Sequence, residues 1–201
     1  AFAAGEFSTA VGEARRSRAL LLALLASAAA RASTGEAQFI AVQGSVEVRH
    51  CERGEWEQAR TRVVLKSGDY VKTSANGSAE IVFLDGTLYT VRPNTLFLVT
   101  RQPGIAGAAT EQQIAMEYGW VNLNTAQRGG RVTTPRAEAL VGRESDVVVS
   151  YDKASSTGRF SAFRGSLEVA SNAGLKRTVA ELEQVVQTGD LLSDPRRLPT
   201  A

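Results

Sequence analysis

Two aspartates that follow glycines in similar turns are the first candidates for chemistry in this chain. The pairs Gly68-Asp69 and Gly189-Asp190 each close a stretch of alternating residues, and carboxylates from repeated turns can converge on a hard cation such as Ca²⁺. Ca²⁺ takes about six to eight oxygen ligands, whereas each of these turns offers one acid. We therefore expect both aspartates to cap their turns, as Asp85 does in Asp85-Gly86, and predict no metal site.

Aromatic side chains are the second candidate, because a row of rings can stack on sugars. The five that could share such a platform are Trp56, Tyr70, Tyr89, Tyr118 and Trp120. In a domain built of strands, such rings more often pack in the core or at its rim. Trp56, Tyr89 and Trp120 remain the candidate binding surface.

The single histidine and the single cysteine stand side by side as His50-Cys51. Neighbours in a strand point to opposite faces, so we do not expect them to act as a catalytic dyad. With one cysteine there is no intrachain disulfide, and an exposed Cys51 is a possible dimer contact. The chain has no Gly-x-Ser-x-Gly, phosphate-loop, His-Glu-x-x-His or Cys-x-x-Cys motif, so we predict no catalytic residues and no cofactor.

The first 32 residues have the pattern of a secretory signal peptide. Arginines at 15, 16 and 18 precede an apolar run through Ala30, and Ala30-Arg31-Ala32 resembles a cleavage site. These residues hold four arginines and two glutamates, which is the whole net charge of +2, so the remainder is neutral. A neutral domain is a poor nucleic-acid binder. We expect an exported, periplasmic protein, with a membrane attachment only if the segment stays uncleaved.

From Phe39 onward the residues alternate between apolar and polar and are interrupted by glycine turns, which predicts an all-β fold. Ala79 to Leu84 is apolar enough to be covered on both faces, which indicates stacked layers. We expect a β domain over 39–192 and a disordered tail over 193–201.

A repeat sets the architecture. Gly44-Ser45-Val46-Glu47-Val48 returns as Gly165-Ser166-Leu167-Glu168-Val169, and Gly68 and Gly189 each follow 24 positions later. The repeat fits an antiparallel-rich sandwich or a short solenoid. The long separation of the copies favours a closed domain whose two ends meet.

The order of several short motifs resembles one known family. The motifs are Gly44-x-Val46, Leu65-x-x-Gly68-Asp69-x-Val71-x-Thr73, Ala79-x-Ile81-x-Phe83-x-Asp85-Gly86-Thr87, Val91-x-Pro93-Asn94-Thr95, Val132-x-Thr134-Pro135-x-Ala137 and Gly165-x-Leu167-x-Val169. Together they resemble the FecR domain of bacterial envelope proteins. Residues 141–147 depart from the Arg-Gly-Thr turn that the family usually has there, so this turn is expected to differ.

The resemblance implies a binding or signalling role. Regulators of this family carry a sigma-factor-binding segment and a transmembrane helix before the domain, and this sequence has 14 residues before its arginines. The expectation is therefore a stand-alone exported member.

Three functions remain open. The first is a non-enzymatic envelope scaffold that binds a protein partner, through an added strand or through residues 49–56, 101–113 and 152–159. The second is a periplasmic component of a sigma-factor relay. The third is a module that binds cell-wall polysaccharide. The partner, the stimulus and the oligomeric state are left open.

Overall fold

The computed structural model describes residues 37–102 and 111–199, which form strands and turns without a helix and confirm the all-β prediction. The first nine strands are β1 Ala37–Gln43, β2 Val46–Arg49, β3 Trp56–Gln58, β4 Val64–Leu65, β5 Tyr70–Thr73, β6 Ser78–Phe83, β7 Leu88–Val91, β8 Thr95–Gln102 and β9 Glu111–Asn124. The next nine are β10 Gly130–Thr133, β11 Ala137–Val141, β12 Asp146–Asp152, β13 Thr157–Arg164, β14 Leu167–Ser171, β15 Lys176–Val179, β16 Glu183–Thr188, β17 Leu191–Leu192 and β18 Arg196–Arg197. In this part of the chain nothing helical is long and apolar enough to cross a membrane, and the predicted signal segment lies outside it.

The strands form two sheets that share the long strand β9. Sheet A runs β4, β1, β6, β7, β9, β12, β13 and β16, and β16 also pairs with β17 and β18. Sheet B runs β3, β2, β5, β8, β9, β10, β11, β14 and β15. Neighbours are antiparallel except β9 and β10, which pair in parallel, so sheet B is mixed.

The buried faces of the two sheets share one hydrophobic core. Phe39 and Ile81 from sheet A lie in the same cluster as Val71 and Phe97 from sheet B, and all four are fully buried. Burying a side chain of this size contributes about 1.5–3 kcal/mol. The fold is therefore a two-layer sandwich, and alternation of apolar residues along each strand places the core between the layers.

The strand order corrects the expectation that the two ends of the domain meet. In both sheets the order largely follows the chain, so β1 to β5 lie at one end of the sandwich and β13 to β18 at the other. Among the described residues no strand of the first group pairs with one of the second. The chain passes from one end of the sandwich to the other while it alternates between the two sheets. Consecutive strands can therefore be joined without a connection that leads back to the first strands.

The sequence repeat corresponds to a repeated path between the sheets. Gly44 leads from β1 in sheet A to β2 in sheet B, and Gly165 leads from β13 to β14 in the same way. Both glycines have positive φ, 64° and 75°. Each copy then returns to sheet A, but Gly68 leads on to sheet B while Gly189 turns back within sheet A.

Strand β6 is covered on one face only, which corrects the prediction for residues 79–84. Ala79, Ile81 and Phe83 lie in the core, whereas Val82 is half-buried and Leu84 is 68% exposed. The predicted stacked layers are present as the two sheets, but β6 belongs to one of these two layers and is not covered by a third. Its outward apolar residues therefore meet solvent.

The last residues also differ from the prediction of a disordered tail. Arg196 and Arg197 form β18 against Gln184 and Glu183, and the N–H of Leu198 donates a 2.8 Å hydrogen bond to the carbonyl of Leu182. The short sequence Ser193 to Pro199 lacks an apolar pattern. It is ordered because β16 presents an unpaired edge that needs hydrogen-bond partners.

Candidate functional site

The candidate site lies at a corner where β9 passes from sheet B to sheet A. Its first part, through Tyr118, pairs with β8, and its second part, from Gly119, pairs with β12. Gly119 has φ +112°, and a Cβ added there would lie 2.4 Å from both Cα and Oγ1 of Thr95. Only glycine allows the strand to bend while it passes this close to another backbone.

Thr95 holds the corner in place from the interior of the sandwich. Its side chain is fully buried, and its Oγ1 accepts a 3.0 Å hydrogen bond from the N–H of Trp120. The N–H of Arg92 donates to the carbonyl of Trp120 at 3.2 Å. The backbone of Trp120 is therefore bonded on both its donor and its acceptor, which holds in place the main chain that carries the indole ring.

The turn over residues 91–95 is itself stapled by a second buried hydroxyl. Thr73 Oγ1 donates to the carbonyl of Arg92 at 2.7 Å and accepts from the N–H of Thr95 at 3.0 Å. Asn94 adopts φ +54° inside this turn, a conformation that asparagine tolerates better than most residues. The Pro93-Asn94-Thr95 motif thus serves to position β9.

The turn over residues 141–145, where the sequence departs from the family pattern, has the same construction. Thr125 Oγ1 donates to the carbonyl of Gly142 at 2.7 Å and accepts from the N–H of Ser145 at 2.9 Å. Glu144 has φ +52° at the position equivalent to Asn94. The local sequence differs, yet a buried hydroxyl imposes the same turn.

Beside Trp120 lies an open groove with a volume of about 670 Å³, which we call the Trp120 groove. Its walls combine aromatic rings, hydroxyl groups and charged side chains from the β9 corner and the β12–β13 hairpin. The lining residues are Asn94, Tyr118, Gly119, Trp120, Ser150, Tyr151, Asp152, Lys153, Ala154, Ser155, Thr157 and Arg159. The predicted contact segment 152–159 forms one wall, so the structure brings it together with Trp120.

The hairpin wall of the groove is shaped by Asp152. Its carboxylate accepts a 2.7 Å hydrogen bond from Ser155 Oγ and a 3.0 Å bond from the N–H of Ala154. Both bonds hold the pKa of Asp152 below its usual value, and the bond from Ser155 has the larger effect. Asp152 therefore stays ionised and ties the turn together.

Two cations line the groove, and a third stacks on its tryptophan. Lys153 and Arg159 line it, and the guanidinium of Arg92 lies 4.2 Å from the ring centroid of Trp120. A cation over an indole face is a favourable contact. Within residues 37–102 and 111–199, none of the three makes an ion pair or a side-chain hydrogen bond.

A second aromatic cluster lies on the outer face of sheet B. The guanidinium of Arg49 is 4.9 Å from the ring of Trp56 and 4.4 Å from the ring of Tyr70, and Lys72 is 5.4 Å from Trp56. Lys72 forms a 3.0 Å ion pair with Glu47. Trp56 is on edge strand β3, and β2, β5 and β8 separate it from β9, so Trp56 and Trp120 do not form one platform.

Tyr89 is not part of either surface. Only 1% of it is exposed, and its ring centroid lies 4.6 Å from that of Phe83 in the core. Its hydroxyl makes no hydrogen bond within the described residues. Burial, and to a lesser degree the charge of Asp85, raise the pKa of this phenol far above its usual value. The alternation of β7 places Tyr89 inward.

The predicted turn residues lie far apart and have different partners. Asp69 accepts from the N–H of Lys66 at 2.8 Å, and Asp85 accepts from the N–H of Thr87 at 2.9 Å. Asp190 instead lies 3.4 Å from Arg136 Nη1 at the other end of the sandwich. In the part of the chain with described coordinates, no three His, Cys, Asp or Glu residues gather where they could hold a metal ion.

His50 has a partner that the sequence did not indicate. Its Nδ1 lies 3.0 Å from Oδ2 of Asp69, whose side chain is almost fully buried. Arg49 and Tyr70 are opposite each other in the β2–β5 pair, so the residues that follow and precede them meet at the strand ends. A single sequence does not reveal which strands pair, and therefore does not reveal this contact. Most of the predicted segment 101–113 lies outside the described residues.

Comparison with known proteins gives a family and a fold. Residues 69–168 match the family model described as FecR protein. Two crystal structures of a “putative anti-sigma factor” from Parabacteroides distasonis ATCC 8503 are similar in fold, with TM-scores of 0.53 and 0.52 and 16% sequence identity. Each alignment covers 64% of this chain and 59% of the other, less than two thirds of that protein. No curated protein matches this chain significantly.

The matched residues coincide with the middle of the sandwich. They begin at Asp69 before β5 and end in β14, so they include the β9 corner and both turns stapled by threonine. The described strands continue on both sides of the matched range and complete the two sheets. The chain therefore contains a FecR domain, and residues 69–168 are the part of it that the family model matches.

Proposed function

We propose that this domain is a non-enzymatic binding module that recognises a protein partner in the bacterial envelope. The observation that carries the proposal is the Trp120 groove. Its lining includes three aromatic residues, Tyr118, Trp120 and Tyr151, together with Arg159. Aromatic and arginine side chains are enriched on surfaces that recognise other proteins.

The rigidity of the groove supports a role in recognition. One wall is held by the hydrogen bond from the N–H of Trp120 to Thr95. The other wall is the β12–β13 hairpin, which is closed by the hydrogen bond from Ser155 to Asp152. A binding surface held in one conformation loses less entropy when its partner docks. Asp152 uses its carboxylate oxygens within the hairpin, which suits a structural rather than a proton-transfer role.

We further propose that the module acts in signalling. The family match supports this, and so does the similarity in fold to two structures of a “putative anti-sigma factor”. The apolar segment that follows the arginines at 15–18 supports an exported location. In this setting the groove binds the partner, and other components of the envelope system transmit the bound or unbound state of the domain.

A cell-wall glycan is the second candidate ligand. Tyr118 and Trp120 line the same groove as Ser150 and Thr157, and sugars bind where rings lie beside hydroxyl groups. Arg92 already covers one face of the Trp120 indole, which reduces the area for a stacked sugar ring. A protein partner therefore fits the groove better.

Site-specific photo-cross-linking tests the proposal. A benzophenone amino acid replaces Ala154, whose side chain lines the groove of the full chain, and in a control it replaces Thr178, which is exposed on sheet B away from the groove. We expect the first protein, and not the second, to capture one envelope protein. Capture should disappear in the Trp120→Ala variant. Equal labelling from both positions, or retention of polysaccharide alone, would contradict the proposal.

A further inference from the structure

We infer that the Trp120 groove accepts an acidic segment of its protein partner. The inference rests on the proposed function and adds the chemistry of the ligand. It starts from the side chains around the groove that carry charge.

Positive charge is in excess at the groove. Arg92, Lys153 and Arg159 are exposed and have no acidic partner in the described part of the chain. The one carboxylate in the lining, that of Asp152, is engaged by Ser155 and Ala154. By contrast, Lys72 in the other aromatic cluster is already neutralised by Glu47. An anionic ligand at the Trp120 groove would therefore meet cations that need no rearrangement to receive it.

The guanidinium of Arg92 is already oriented by Trp120, which favours binding of a carboxylate. The contact of its guanidinium with Trp120 limits the rotation of a long side chain before any ligand binds. A planar guanidinium binds a carboxylate through two parallel hydrogen bonds, so a fixed plane reduces the entropy lost on binding. The side chains of glutamate and aspartate present this group on a short apolar stem that can rest on Tyr118 or Trp120.

Other anionic polymers fit the observations less well. A nucleic acid gains affinity from many phosphate contacts. This groove offers two lining cations and Arg92 beside Trp120, and the chain after residue 32 has no net charge. A sugar acid would share the carboxylate but would need to stack its ring on the indole, where Arg92 covers one face. An acidic peptide uses both the cations and the remaining ring surface.

Fluorescence titration tests the inference with defined probes. The chain has two tryptophans, so a Trp56→Phe background leaves Trp120 as the reporter. The probes are poly-L-glutamate, polygalacturonate as an acidic sugar, and dextran as a neutral one. We expect poly-L-glutamate to change the Trp120 emission in a saturable manner, more tightly than polygalacturonate, and the affinity to fall as salt is raised.

Charge variants identify the contacts. Lys153→Gln with Arg159→Gln should weaken binding of poly-L-glutamate by about tenfold or more, since each charged hydrogen bond lost is worth at least that factor. The matched control is Lys176→Gln, because Lys176 pairs with Glu168 on sheet B and lies away from the groove. Its affinity should equal that of the parent protein. The side chains of Lys153, Arg159 and Lys176 are exposed, and equal urea midpoints check that the variants fold alike.

Three results would overturn the inference: no response to poly-L-glutamate, an equal affinity in the double variant, or tighter binding of polygalacturonate or dextran. The cross-linking experiment separates these failures from failure of the proposed function. If the double variant still captures the same envelope protein from position 154, the groove binds a protein and its ligand is not acidic. If no protein is captured by the parent chain, the proposed function itself fails.

Discussion

The N–H of Trp120 donates a 3.0 Å hydrogen bond to the side-chain hydroxyl of Thr95, a residue 25 positions earlier on a neighbouring strand. This bond links an aromatic residue of the groove to the interior of the sandwich. Thr95 therefore connects stability with the geometry of the groove, and the connection can be measured.

Replacing Thr95 with valine should cost about 1–3 kcal/mol of unfolding free energy, because the N–H of Trp120 loses its buried acceptor. Valine keeps the shape and the burial. Urea denaturation followed by fluorescence measures the change. In the control Thr90→Val, the hydroxyl removed makes no hydrogen bond to the described residues, and we expect a change within about 0.5 kcal/mol. Equal costs for the two variants would contradict the role of Thr95.

Gly119→Ala should be far more costly than an alanine at another glycine of positive φ. At Gly119 the new methyl group would overlap backbone and side-chain atoms of Thr95, whereas at Gly174, with φ +84°, no atom lies within 4 Å. Gly174→Ala should cost about 1–2 kcal/mol from backbone strain alone. Gly119→Ala should cost more than about 4 kcal/mol or prevent folding. Comparable midpoints in a thermal melt would show that β9 does not pass Thr95 this closely.

Asp69 and Asp190 occupy equivalent places in the sequence repeat, so they form a matched pair for mutation. Asp69→Ala removes the acceptor for Lys66 N–H and the partner of His50 from a buried position, and should cost about 1–3 kcal/mol. Asp190→Ala breaks an exposed 3.4 Å ion pair and should cost about 0–1 kcal/mol. Chemical denaturation of both variants measures the difference. A similar cost at both positions would mean that the two turns are equivalent in energy as well as in sequence.

Tyr89→Phe should leave stability at pH 7 unchanged or raise it slightly, because the hydroxyl removed is buried without a hydrogen-bond partner in the described chain. Packing against Phe83 is kept, since the ring remains. Urea midpoints at neutral pH measure the effect. A loss of more than about 1 kcal/mol would show that the hydroxyl has a partner, for example a buried water.

The same variant has a defined dependence on pH. Burial raises the pKa of Tyr89, so the folded protein keeps the phenol proton while the unfolded chain loses it above about pH 10. The parent protein should therefore lose stability relative to Tyr89→Phe as pH rises above 10, by about 1.4 kcal/mol per pH unit, until the folded phenol also ionises. Below pH 10 the difference should be flat. Parallel alkaline curves for the two proteins would contradict the burial of this group.

Much of the fold follows from local patterns. Alternating β-branched residues between glycine turns predicted strands throughout, including residues 176–187, which form β15 and β16. The repeat predicted that one unit would occur twice, and its first part does, because Gly44 and Gly165 both supply a positive φ where the chain passes from sheet A to sheet B. A turn depends on a few adjacent residues, and those are visible in the sequence.

The site was predictable only in part. Trp120 and the hairpin 152–159 were identified separately, as an aromatic residue and as an exposed polar loop. Nothing in either segment indicates that they form two walls of one groove, and Arg92 carried no signal beyond its place before a proline. Conversely, the sequence indicates Tyr89 as a candidate for the binding surface because it is aromatic. Its position on β7 instead points its side chain into the core.

The sequence by itself determined the class of the fold, the glycine turns at Gly44 and Gly165 and the family, since each of these depends on residue types at short spacings. The tertiary structure decided which strands pair, and hence that His50 meets Asp69, that Trp56 and Trp120 lie on separate surfaces, and that residues 193–199 complete an edge of sheet A. The physical reason is that strand pairing is set by hydrogen bonds and packing between residues distant in the chain. Alternation fixes the face on which a side chain lies, but not the neighbour that it contacts there.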